Sequence, residues 1–242
     1  MLSENEESEK IVRRLVFTTL AQAFVVLLAG LNLELNIMKN GPGSIEFVRW
    51  REIFSLLVVL PATVVITFNI MWILEQGRKD ARWPITMFMV SVCLLGISMG
   101  VHEPINAMSR LSWRLASAMG FWDELFSHAV FYLSYIGGSM ALLWSQARNP
   151  LPEVMGLRNT AVFAGIGVLA GIGIFLTLLS GGSILVDLVI MVVMLTFAEF
   201  VRKGKAFRYL PIALTMEGAY LLALFGLAVQ RLIAGWLGEL GV

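Results

Sequence analysis

Long apolar runs alternate with short polar breaks along this chain, and seven of the runs reach the ~20 residues that a helix needs to cross a bilayer core. They cover residues 14–36, 52–74, 84–106, 120–145, 160–180, 183–201 and 209–236. The breaks are made of turn formers: Gly41-Pro42-Gly43 after the first run and Gly77-Arg78-Lys79-Asp80 after the second. Asn149-Pro150-Leu151-Pro152 precedes the fifth, and Ser180-Gly181-Gly182-Ser183 joins the fifth to the sixth. Pro84 and Pro211 fall in first turns, where a missing N–H costs little. The pattern predicts an all-α polytopic membrane protein, a single seven-transmembrane-helix bundle over 14–242, behind a polar tail over 1–13. That tail is acidic, unlike the basic start of a cleaved signal peptide, and reads as a retained solvated segment.

Composition sharpens the class. Of 242 residues, 58% are apolar and only 14% charged, against about 25% charged in a soluble domain. This is the balance of an integral, multi-pass membrane protein whose first partner is the lipid bilayer. A net charge of +1 gives no reason to expect nucleic acid as a partner. The single cysteine, Cys93, excludes an internal disulfide and a cysteine-based zinc knuckle. With the N-terminus inside, twelve Lys and Arg fall on the inner side and six on the outer, so the positive-inside rule predicts N-inside, C-outside. Gly165, Gly167, Gly171 and Gly173 in the fifth span predict close helix packing inside the bundle. The thirteen methionines are scattered and read as adaptable packing.

Against this background the only two histidines stand out, because both fall at the outer ends of consecutive spans. His102 shares a stripe with Ser98 and Asn106 at i, i+4, i+8; His128 shares one with Glu124, Tyr132 and Tyr135. Asp123 and Ser127 form the adjoining stripe, Glu103 follows His102, and Asn32, Glu34, Asn36 and Asp187 are predicted at the same end. Ionisable groups inside membrane spans are costly and point to function. Imidazole and carboxylate suit zinc or iron, so His102, His128 and Glu124 are candidate metal ligands, with a position left for water. A metal-bound water is acidic enough to act as a nucleophile at neutral pH. Asp123 would then take its proton and Ser98 would donate to a developing oxyanion. Deeper in, Glu199 reads as an interfacial salt-bridge partner of nearby bases, while Glu217, near Tyr220, has no partner visible in sequence.

Ser98-x-x-x-His102 at a helix end, followed in the next span by Asp123-Glu124-Leu125, resembles the alkaline ceramidase and progestin/adiponectin-receptor-like superfamily. Its members are seven-span membrane hydrolases whose zinc is held by three histidines, with a Ser and an Asp beside it. The resemblance covers spans three and four only. It implies that Ser98 matches the family serine, His102 a zinc ligand and Asp123 the family aspartate. The family places an H-x-x-x-H pair in its last span; here that span has no histidine, so His128 would stand in for one of them.

Three functions compete on this reading. The first is a zinc-dependent hydrolase of a lipid amide or ester. The second is an electron-transfer subunit with haem b, or iron, between His102 and His128, since two axial histidines from facing helices are a sound haem ligand set. The third is a non-enzymatic accessory or assembly subunit that works with other membrane subunits. No nucleotide loop or repeated set of spans suggests a transporter, and the last span lacks the lysine a retinal protein requires.

Overall fold

The computed structural model describes residues 4–34, 38, 40–41, 48–76, 82–109, 119–180 and 184–239. Seven long helices run through them: α1 Glu4–Glu34, α2 Trp50–Glu75, α3 Arg82–Ser109, α4 Phe121–Arg148, α5 Leu157–Ser180, α6 Ile184–Arg202 and α7 Pro211–Glu239. Among the described residues there is no strand. Six of the helices are long and apolar enough to cross a membrane. The other, α6, is a 19-residue helix carrying Asp187, Glu199 and Arg202. The predicted breaks at residues 42–43, 77–80 and 181–183 lie outside the described residues.

Residues 4–13, ahead of the first predicted span, form the opening turns of α1, with Glu6, Glu7, Glu9 and Lys10 exposed. Their acids sit where a helix N-terminus favours negative charge, and Ser8 and Val12 are buried, so these turns have a packed face.

Successive helices alternate in direction and close a ring: α1 against α5, α5 against α7, α7 against α6, α6 against α4, α4 against α3, with α2 between α1 and α4. One core lies among α1, α2, α5 and α7 around Leu15, Ile70, Phe163 and Ile212. A second lies among α4, α6 and α7 around Leu143, Met194, Ala198 and Tyr220. The outward faces are apolar: Phe17, Leu57, Leu185 and Leu232 are each more than 70% exposed. A chain that turns such side chains outward while burying Glu52, Glu75, Glu103 and Glu217 has the build of a multi-pass membrane protein, whose apolar solvent needs no hiding from.

Glycines set the closest approaches. A methyl added at Gly167 would lie 2.7 Å from the Thr215 carbonyl oxygen, and one at Gly171 2.7 Å from that of Ala219. One at Gly173 would meet the Val26–Leu27 backbone of α1 at 2.7 Å. The small residues of α5 therefore seat α7 on one flank and α1 on the other, as the spacing predicts; only Gly165 faces open space. Gly171→Leu is expected to cost about 1–3 kcal/mol through overpacking. Gly165→Ala should hold or raise stability by up to about 1 kcal/mol. Thermal unfolding of the two variants in detergent checks the contrast.

Candidate functional site

The seam between α3 and α4 is closed by serine hydroxyls that reach across to backbone carbonyls. Ser134 donates to Ser91 O at 2.7 Å, and Ser98 donates to Ser127 O at 2.8 Å. All three of Ser98, Ser127 and Ser134 are buried. The Ser98 and Ser134 hydroxyls each satisfy themselves on the neighbouring helix, which fixes the register of the pair and brings His102 and His128 to the same depth.

Phe121–Ser127, the first part of α4, is a π-helical segment. A widened turn of this kind arises where side chains compete for the backbone ladder, and it re-aims the residues on it. Here Asp123 O is the point of competition. The Ser127 hydroxyl donates to it, and His128 Nδ1 lies 2.9 Å from it. A carbonyl can only accept, so His128 Nδ1 carries the proton and Nε2 holds the lone pair of the neutral ring.

The Asp123 side chain serves the other histidine. Its buried Oδ1 lies 2.6 Å from His102 Nδ1. At this separation a ring N–H of His102 and the Asp123 carboxylate attract each other, and the pair is held close. Ser127 Oγ is 3.4 Å from the same Nδ1; its own proton goes to Asp123 O, so it acts as an acceptor there. Both neighbours favour the Nδ1–H tautomer of His102. The two imidazoles meet edge to face, with centroids 5.1 Å apart and planes at 76°.

The other polar residues at this end are distributed over separate seams. Glu103, one residue beyond His102, turns toward α2, where it is buried within reach of the Ser55 hydroxyl and close to Glu52 and Arg51. Asn32 donates to Arg51 O at 3.4 Å, and its buried Oδ1 has no hydrogen-bond partner among the described residues. Asp187 accepts from the Tyr132 hydroxyl at 2.9 Å, tying α6 to α4. Glu34 is exposed, while Asn36 and the side chain of Glu124 lie outside the described residues. Among the described residues, no three His, Cys, Asp or Glu side chains form a metal-ligand set.

Ser98, expected to donate to an oxyanion, instead spends its proton on Ser127 O. Glu199 is the salt-bridge partner that the sequence implies, with Oε2 at 2.5 Å from a terminal nitrogen of Arg202. Glu217 is buried, with one carboxylate oxygen lacking a partner among the described residues. Near it, Tyr135 and Tyr220 share a 2.7 Å hydrogen bond between α4 and α7. Glu52 and Ser55 escaped sequence reasoning because they sit at the edge of an apolar run, where a charge reads as a boundary marker. Ser127 was visible as the i+4 partner of Asp123, yet its part in widening the turn was not.

The chain was compared with protein families, curated proteins and solved structures. It matches none of them. The site thus stands on its own geometry. Ser98→Ala removes the α3–α4 bond and is expected to lower stability by about 0.6–1.7 kcal/mol, the span measured for such interhelical bonds. Unfolding in detergent with helix content followed by circular dichroism checks it.

Proposed function

We propose that the chain is a seven-span membrane protein, N-terminus inside and C-terminus outside, which binds zinc at the outer ends of α3 and α4 and hydrolyses an amide or ester bond of a lipid. α6 serves as the seventh crossing because its charges are matched: Asp187 takes the Tyr132 hydroxyl, and Glu199 pairs with Arg202 at the helix end. The orientation follows the excess of Lys and Arg on the inner side.

One observation carries the metal reading: Asp123 engages Nδ1 of both imidazoles, one through its carboxylate and one through its carbonyl. Metal-binding histidines are ordinarily fixed in this way, with the far nitrogen left to bind the ion. His102 and His128 would be the ligands, with Glu124 as the third. Asp123 is then a positioning residue that orients both rings, and Ser98 holds the helices in register beneath them. A bound zinc with an open position supplies a water acidic enough to attack a carbonyl at neutral pH.

A lipid substrate is supported by what flanks the site. Phe121, Trp122 and Leu125 on the widened turn are exposed, and an added Cβ at Gly96 or Gly100 of α3 would meet nothing within 4 Å. An acyl chain approaching from the bilayer would meet apolar side chains and open space beside the histidines. Haem b fits the ring geometry less well. Axial imidazoles bracket a porphyrin from opposite faces, whereas these rings touch each other at 5.1 Å.

Elemental analysis of protein purified without chelators tests the reading. About one zinc per chain is expected, lost in the His102→Ala/His128→Ala double variant. Asp123→Asn should weaken zinc binding about 10–100-fold, as removal of an orienting partner does. Wild-type protein that binds no metal would sink the proposal, and a haem absorption band would replace it with the electron-transfer reading.

A further inference from the structure

At the opposite end of the bundle from the histidines, α1 and α2 enclose an open groove of about 370 Å³, lined by Arg13, Arg14, Phe17, Thr18, Asn69 and Ile73. On α1, Arg13 and Phe17 are one turn apart, as are Arg14 and Thr18, so a basic rim passes directly into an apolar wall. Arg14 is drawn toward α2 by Gln76 Oε1 at 3.1 Å. Phe17 is 74% exposed, and Ile73 is buried, forming the floor.

Asn69 is the informative residue. It is exposed on α2 six residues before the helix ends at Glu75, about 9 Å along the axis. Its amide donates to Val65 O at 2.9 Å, which leaves a second N–H directed away from its own helix. An amide presented to hydrocarbon is costly unless something accepts from it. The glycerol-ester region of a phospholipid lies at that depth when its phosphate is level with Arg13 and Arg14.

We propose that this groove holds one anionic glycerophospholipid, its phosphate on Arg13 and Arg14, its ester oxygens at Asn69 and an acyl chain along Phe17. Guanidinium groups bind phosphate oxygens in pairs, and among the described residues no acid lines the groove, so a headgroup that adds a cation beside the phosphate is disfavoured. Basic pockets between membrane helices are a recurrent way of holding such lipids.

The test uses full-length protein, stripped of lipid in detergent and offered phosphatidylglycerol or phosphatidylcholine, with retained lipid counted by native mass spectrometry. Wild-type protein should retain phosphatidylglycerol preferentially. Arg13→Gln/Arg14→Gln should lower that retention about 30-fold, two surface charges' worth, while leaving phosphatidylcholine retention and zinc content unchanged. Asn69→Leu, which keeps both arginines, should weaken retention of both lipids. Equal retention of the two lipids by wild-type protein, or a preference that survives in the arginine double variant, would overturn the proposal. The site is remote from the histidines, so neither outcome bears on the metal.

Discussion

A hydroxyl or carboxylate buried between membrane helices has no water to fall back on, so its partner must come from the protein itself. The α3–α4 seam is built on that constraint. Ser98 and Ser134 have one donor each, and each spends it on a carbonyl of the facing helix. These bonds lock two antiparallel helices in one register. Without that register His102 and His128 would pass each other at different depths, and Asp123 could not address both.

The same demand explains the widened turn at the start of α4. Asp123 O is a target for the Ser127 hydroxyl and for His128 Nδ1. A regular α-helical turn hands each carbonyl to the N–H four residues on, which leaves little room for side-chain donors. Relaxing the turn over Phe121–Ser127 lets Asp123 aim its carboxylate at α3 while its carbonyl holds the ring that follows. A second π-helical segment, Ser55–Val59 on α2, begins at the serine that faces Glu103. Both π-helical segments thus carry a serine beside a buried or half-buried acid, while α1, α5 and α7, packed through glycines, stay regular.

The legibility of the site varied with the kind of information each residue needed. The pairing of His102 with His128 could be read from sequence, since both lie near the ends of consecutive antiparallel runs. The stripes of Ser98 with His102 and of Asp123 with Ser127 followed from helical spacing. Glu103 shows the limit: its neighbour in sequence is His102, but a step of one residue turns a side chain by about 100° around a helix, enough to give it to α2. Ser98 shows another limit, for a hydroxyl on the predicted stripe is available for chemistry only if no neighbouring carbonyl has already taken its proton.

Periodicity and composition by themselves determined the all-helical build, the approximate ends of six apolar helices long enough to cross a membrane, and their apolar outward faces, because a bilayer imposes length and polarity on each segment independently of its neighbours. They also marked Gly167, Gly171 and Gly173 as points of close approach. Tertiary structure alone decided which helices those glycines seat, that the opening residues wind into α1, and that the acids at the histidine end separate into distinct seams. Those outcomes depend on the rotation and register of one helix against another. Such quantities are set by many weak contacts summed over the whole bundle, and no single segment encodes them.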